Sequence, residues 1–380
     1  MSKISELVPE RVKALPAYVP GKAIKQAEAE SGVRAIKLAS NENPFGPSPL
    51  ALKAIRDTAA SVNQYPDNDA GALRIRIAEL HNIPSENVIV TAGSTPLLDI
   101  LARTLLGPGL NAITSERSFI VYPIVARGAG GELRTVPMKN DGYDLDAIAA
   151  AVDANTRLIF LANPNNPTGT FHAADAIERF LDKLPDHVIV ALDEAYIEFA
   201  ERFAVERGAQ IPRSVDYVRQ GRNVVVMRTF SKAQGLAAVR AGYGIGPAEL
   251  IGYLARLKTA FMVSTPAQAA AMAALDDHAH FEKTMRNNLE QSRWLTAQMR
   301  EIGLNPVESW TNFIYCEVGE SASLIGQKLQ QEGVIIRPLT GSWGAPTAIR
   351  VTVGTPDENQ RFIDALKKTV GNRLSEVSGK

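Results

Sequence analysis

The chain has 380 residues, 45% of them hydrophobic and 22% charged, and its 41 Lys and Arg offset 41 Asp and Glu to a formal net charge of zero. That is the composition of an ordinary globular chain, and the absence of a basic block or an acidic tail argues against polyanion binding such as nucleic-acid recognition. The length exceeds the size at which one hydrophobic core usually keeps growing, so a large domain with a smaller companion is expected.

The first ten residues break their apolar run with charges, and no stretch reaches the about 18 uninterrupted apolar residues that a membrane span needs. Ser at position 2 and a C-terminus without a cysteine give no lipidation signal. One cysteine, Cys316, allows no internal disulfide and is expected as a small core residue. The reading is a soluble, cytoplasmic protein.

The first 45 residues are rich in Pro, Gly and Asn and are expected to wrap over other elements as turns. Ser48-Pro49 predicts a helix over Leu50 to Ala60, and Thr95 as cap with Pro96 as first helical residue predicts another to Leu106. Short apolar runs at Asn87 to Val90, Asn111 to Thr114, Leu158 to Ala162, Val188 to Leu192, Asn223 to Met227 and Tyr243 to Ile245 read as strands. They alternate with helical segments such as Ala173 to Leu184, which predicts a largely parallel α/β sheet buried on both faces. Past Ser264 a long helix from His278 to Ile302 leads to strands at Phe313 to Glu317, Val334 to Arg337 and Ile349 to Val353. A helix from Asp357 closes this separate α+β lobe. Asp276-Asp-His-Ala-His280 is read as a solvated helix start rather than a metal site.

Chemistry concentrates at strand ends. Lys232 follows the strand ending at Met227 and sits among Ser231, Gly235 and apolar residues, where desolvation or nearby cations favour the neutral amine that a Schiff base requires. Arg240, eight residues on, can offer a guanidinium to a phosphate beside the Ser231 hydroxyl. Ala162-Asn-Pro-Asn-Asn-Pro-Thr-Gly169 follows a strand, where α/β sheets place ligands, and its prolines fix the backbone around Asn166. Asp193 ends an apolar strand and needs a cation or donor if buried; Tyr196 lies three residues on.

In this order, these segments resemble fold-type I pyridoxal-phosphate aminotransferases, and most of all the histidinol-phosphate aminotransferase family. The resemblance runs nearly the whole chain, through Pro16-Ala-Tyr18, Pro20-Gly-Lys22, Leu38-Ala-Ser-Asn-Glu-Asn-Pro44, Gln64-Tyr-Pro-Asp67, Thr91-Ala-Gly-Ser94, Ser118-Phe-Ile-Val-Tyr122, Gly333-Val-Ile-Ile-Arg337 and Ile349-Arg-Val-Thr-Val-Gly354. It implies a large cofactor-binding domain over 31–265 with a mostly parallel sheet flanked by helices. A smaller α+β domain over 266–380 and an N-terminal arm over 1–30 complete it.

Carried onto this chain, the resemblance implies a pyridoxal 5'-phosphate Schiff base on Lys232, which then moves the proton. It also implies Asp193 at the pyridinium nitrogen, Asn166 and Tyr196 at the phenolic oxygen, and Phe119 on the ring face. The cofactor phosphate would rest on Gly93, Ser94 and Thr95 at a helix N-terminus, with Ser231, Arg240 and Tyr65 of a neighbouring subunit, so a homodimer is implied. Arg350 would take a substrate carboxylate, Arg337 and Tyr18 the phosphate of histidinol phosphate, and Asn43 would line the cleft. Two departures bear on this pattern. Thr95-Pro96 stands where much of the family has an acidic pair, and Leu257 to Pro266 lacks a common Arg-x-Pro. An aromatic amino acid aminotransferase and a non-catalytic cofactor-binding relative are the alternatives.

Overall fold

The computed structural model describes residues 4–16, 22–319 and 321–370. In chain order its strands are β1 (Ile36–Lys37), β2 (Val88–Thr91), β3 (Asn111–Ser115), β4 (Glu132–Val136), β5 (Thr156–Ala162), β6 (Ile189–Asp193), β7 (Val224–Thr229), β8 (Gly242–Ile245), β9 (Phe313–Glu317), β10 (Val334–Ile335), β11 (Arg337–Pro338) and β12 (Ala348–Thr352).

Seven of them form one sheet in the order β2-β8-β7-β6-β5-β3-β4. Pairing is parallel from β4 through β3, β5 and β6 to β7, and β8 runs antiparallel to both of its neighbours. Helices cover both faces, so the inner strands β5, β6 and β7 are largely apolar without alternation and almost fully buried. The edge strand β4 was not legible as one, because Glu-Leu-Arg-Thr-Val alternates between solvent and core and carries two charged residues.

Two helix starts are capped by serine side chains, and a third departs from its expected cap. Ser48 Oγ accepts from the Ala51 amide at 3.2 Å ahead of Pro49–Thr58, and Ser264 Oγ accepts from the Ala267 amide at 3.3 Å ahead of Thr265–Leu275. The helix expected to open behind a Thr95 cap instead spans Ser94–Leu105, with Gly93 at its cap in a left-handed conformation at φ 91° and no side-chain cap. Its first-turn amides are therefore available to an anion.

The segment around Asp277 is a solvated start only in part: Asp276 and His278 are exposed, whereas Asp277 is not. Asp277 is buried, caps His278–Glu301 by accepting from the His280 amide at 3.2 Å, and accepts from Ser48 Oγ at 2.6 Å, which ties two helix starts together. Among the described residues no group of side chains is suited to hold a metal ion.

The C-terminal part builds its own core from Leu295, Met299, Ile314, Cys316, Val351 and Phe362, with Cys316 fully buried as expected. Its antiparallel sheet runs β11-β12-β9, and the stretch expected as one strand from Val334 to Arg337 is split between β10 and β11. The N-terminal stretch is more regular than its turn-rich composition suggests. It forms helices Ile4–Leu7, Glu10–Lys13 and Ile24–Ser31, and β1 then pairs in parallel with β10. Lys37 stands opposite Ile335 in that pair, and Leu38 joins the C-terminal core.

Glycine in β8 allows the β2 turn to pass close by. A Cβ at Gly242 would stand 2.8 Å from the Gly93 carbonyl carbon and 2.9 Å from the Arg228 oxygen, both backbone atoms that cannot move independently. Gly242→Ala is expected to cost about 1–3 kcal/mol through overpacking and to shift the turn at Gly93; a lowered Tm checks the first effect and a crystal structure of the variant the second.

Candidate active site

The carboxyl ends of β2, β3, β5, β6 and β7 open on one cavity of about 330 Å³, closed on the far side by β11, β12 and the end of β1. This is where an open α/β sheet holds ligands, because loops leaving the strand ends diverge and the backbone there is not consumed by pairing.

Asp193 ends β6 inside the wall, 5% exposed. Its Oδ2 accepts from the Tyr122 hydroxyl at 3.0 Å and its Oδ1 from the Ala195 amide at 3.2 Å. Desolvation outweighs both bonds and lifts the carboxyl to about 6, so the site favours a cation placed against it. Tyr122 is held by stacking on Phe160 at 4.8 Å and by the edge of Phe119 at 5.6 Å, and Phe119 itself lines the cavity.

Lys232 reaches the same cavity from the loop after β7, and its Nζ donates to the Ser40 carbonyl at 3.1 Å. Burial, and after it the charge of Arg350, lowers the amine to about 8, within reach of a neutral nucleophile near neutral pH. Tyr196 flanks it with its ring centroid 5.8 Å from Nζ, and the Tyr196 hydroxyl accepts from Asn41 Nδ2 at 2.8 Å.

At the β2 end, Ser94 and Thr95 open the uncapped helix onto the cavity. Arg240 donates to Ser231 Oγ at 3.5 Å and to the Ala92 carbonyl at 3.3 Å, and a Cβ at Gly93 would stand only 2.6 Å from its guanidinium. Arg240 takes up a left-handed φ of 61°, a conformation that costs a branched or bulky residue energy and here turns the guanidinium toward the helix start. Helix amides, a hydroxyl and a guanidinium together make an anion cradle.

Opposite, Arg350 of β12 is buried and donates to Asn166 Oδ1 at 2.5 Å and to the Ala39 carbonyl at 2.9 Å, with Phe313 and Trp343 rings beside it. Arg337 of β11 is its register partner and shares the cavity. Lys37 also enters the wall, ion-paired to Glu42 at 3.0 Å.

Of the residues expected at a site, Ser94, Thr95, Phe119, Asn166, Asp193, Tyr196, Ser231, Lys232, Arg240, Arg337 and Arg350 line this one cavity, with Gly93 packed behind Arg240. Asn43 does not: its amide donates to the Ala233 carbonyl and to Thr284 Oγ1, its oxygen accepts from the Phe45 amide, and Asn41 takes the place in the wall. Tyr65 lies away from this chain's cavity, 82% exposed and stacked on Phe261 at 4.5 Å. Tyr18 lies outside the described residues.

Sequence reasoning gave no role to Tyr122, Asn41, Lys37 or Trp343. The first two stand inside motifs already singled out, and Lys37 directly precedes one. Glu194 is buried in an ion pair with Arg228 at 2.9 Å, behind the cavity rather than in it.

Residues 33–366 match the sequence model of aminotransferase class I and II. The chain belongs to that family. It is 44% identical to histidinol-phosphate aminotransferase 2 of Pseudomonas fluorescens over 94% of this chain and 96% of the relative. It is 43% identical to histidinol-phosphate aminotransferase 2 of Pseudomonas aeruginosa over 98% and 100%. Among solved structures it is similar to histidinol-phosphate aminotransferase from Sinorhizobium meliloti in complex with pyridoxal-5'-phosphate, with TM-score 0.86, 28% identity, and 96% and 97% of the two chains covered. Thermus thermophilus aspartate aminotransferase shares the fold, with TM-score 0.82 at 21% identity over 95% and 99%. The fold is thus that of fold-type I transferases, as the resemblance in the sequence implied.

Burial of Asp193 has a measurable stability signature in the ligand-free protein. Its folded pKa lies above the ordinary 3.8, so below that value neither state is charged and burial costs nothing; the penalty grows as pH rises and is complete above about 6. Asp193→Asn is therefore expected to raise Tm at about pH 8, by the equivalent of about 1–3 kcal/mol, and to lose that advantage at about pH 4.

Proposed function

We propose that the protein is a pyridoxal-phosphate-dependent aminotransferase that exchanges the amino group of histidinol phosphate with 2-oxoglutarate, with Lys232 as the amine that would hold the cofactor. The observation that carries the reading is the desolvated Lys232 amine facing a buried, cation-seeking Asp193 across one cavity. Identity of 44% to histidinol-phosphate aminotransferase 2 supports the choice of substrate.

The residues present fit pyridoxal phosphate. The uncapped helix start at Ser94 and Thr95, with Gly93 leaving room for Arg240 and with Ser231 beside it, would take a phosphate. Asp193 would pair with a protonated ring nitrogen, Asn166 and Tyr196 would bond the phenolic oxygen, and Phe119 would lie on the ring face. When bound, the cofactor supplies an electron-withdrawing ring that spreads the electron pair left when a Cα–H bond breaks.

The chain supplies the rest. Lys232 Nζ, lowered to about 8 by burial, would take the proton from the substrate Cα and hand it on to the cofactor side of the C–N bond, which moves the amino group off the donor. The Tyr122 hydroxyl holds the Asp193 carboxylate in place, and so keeps a charge aimed into the cavity. Arg350, braced by the Ala39 carbonyl and Asn166, would receive the carboxylate of glutamate, and Arg337 with Tyr18 the phosphate of histidinol phosphate. The stacked, exposed Tyr65 and Phe261 suit a reach into a second copy, consistent with a homodimer in the cytoplasm. The cavity lies between two hydrophobic cores, which supports a large and a small domain with 1–30 as an arm; because Ala267, Ala270, Ala271 and Ala274 pack into the large core, the division falls after the helix Thr265–Leu275 rather than at 265.

Initial rates test this reading. The expected outcome is kcat/KM for histidinol phosphate well above that for phenylalanine with 2-oxoglutarate as acceptor, and no turnover by Lys232→Ala. A preference for phenylalanine would favour an aromatic amino acid aminotransferase, and unchanged turnover by Lys232→Ala would remove the mechanism.

A further inference from the structure

Among the described residues, six charged side chains line the cavity: the cations Lys37, Lys232, Arg240, Arg337 and Arg350 against the carboxylate of Asp193. They fall into groups by position. Arg240 stands beside Gly93 at the helix start, and Lys232 lies between the walls. Lys37 belongs with the two arginines: it sits on β1 opposite Ile335 of β10, and the chain leaves β10 directly for Arg337 of β11, which is in register with Arg350.

Lys37 differs from Arg350 in the partner it is seen to hold. Arg350 is braced by neutral oxygens of Asn166 and Ala39, whereas Lys37 pairs at 3.0 Å with Glu42, which is not part of the cavity wall. Glu42 and Lys37 both also border the outer groove beside β1, so the pair lies where that groove and the cavity meet. The Lys37 side chain is 20% exposed and that of Glu42 44%, so the lysine is the more sheltered member of the pair. A compact ammonium on a flexible four-carbon stem can turn from one partner to another, which a planar guanidinium fixed by two bonds cannot.

We propose that Lys37 is a specificity-determining residue which leaves Glu42 to contact the phosphate of a phosphate-ester amino donor, adding a second cation to Arg337. The proposal rests on the functional reading above and concerns the substrate, not the cofactor. A phosphate ester carries nearly two negative charges and three acceptor oxygens, enough to compete with Glu42 for the ammonium. A donor without phosphate does not draw Lys37 away, so the Lys37–Glu42 pair stays closed and is indifferent to it. Tuning of Lys232 is not the main role of Lys37, because burial, Arg350, Glu42 and Arg240 all weigh more heavily on that amine.

The test compares Lys37→Met, which keeps the stem and removes the charge, with Lys37→Arg and the wild-type holoenzyme, using histidinol phosphate, histidinol and phenylalanine as donors. For Lys37→Met the expected result is a rise in KM for histidinol phosphate of about tenfold, the effect of one charge-assisted hydrogen bond. Its kcat should stay within about twofold and kcat/KM for histidinol and phenylalanine should not change, since only ground-state and transition-state binding of the phosphate is lost. Lys37→Arg is expected to recover most of the KM. Calorimetric titration of the holoenzyme with inorganic phosphate should show the same weakening in Lys37→Met without turnover. Equal losses on all donors, a shifted pH profile on all of them, or no change on histidinol phosphate would overturn the assignment while leaving the aminotransferase reading intact. A wild-type enzyme that turns over phenylalanine but not histidinol phosphate would instead overturn that reading, and the assignment with it.

Discussion

One constraint organises the molecule: a carboxylate and an amine, Asp193 and Lys232, are both desolvated in a single cavity without being paired to each other. Burial raises the first and lowers the second, so each is held short of its ordinary charge state. Nothing in the fold requires this. A chain selected for stability alone would replace both with apolar residues, since buried ionisable groups rarely repay their desolvation. Their presence at the carboxyl ends of adjacent strands β6 and β7 marks where the sheet gives up stability for chemistry.

The surrounding hydrogen bonds hold that arrangement by joining segments far apart in sequence. Asn41 donates to the Tyr196 hydroxyl, Asn312 donates to the Asn41 carbonyl, and Arg350 connects Asn166 to Ala39. A further clasp joins the turn after β5 to the segment before β9, where the Trp310 amide donates to the Gly169 carbonyl at 2.8 Å. There Arg207 lies 4.3 Å from the Phe203 ring centroid and 4.5 Å from that of Trp310. Movement of one core relative to the other would therefore be felt at Asn166, Tyr196 and Arg350 together.

Much of this was legible in the sequence because the same residues carry fold and chemistry. Apolar runs ending in Asp193, in Asn163 to Asn166 and before Lys232 give both the parallel strands and the residues that line the cavity, since strand ends are where such a sheet binds ligands. The misses have physical causes. Edge strand β4 alternates and looks amphipathic rather than buried. The helix at Ser94 begins on a left-handed glycine, which leaves no capping side chain to read. Asn43 and Asn41 are alike in type and two residues apart, and only the left-handed turn at Asn41, φ 57°, decides which one faces the cavity. Tyr122 reads as one more aromatic residue on a helix, because its bond to Asp193 spans 71 positions and no local pattern encodes it.

The measurement that bears most directly on the central claim is borohydride reduction of the purified protein loaded with pyridoxal phosphate, followed by peptide mass mapping. Reduction makes a Schiff base permanent and reports which amine formed it. The account expects a pyridoxyl group on the peptide containing Lys232, formed more readily as pH rises toward about 8, where that amine loses its proton. A modification on another lysine, or spread over several exposed ones, would contradict it.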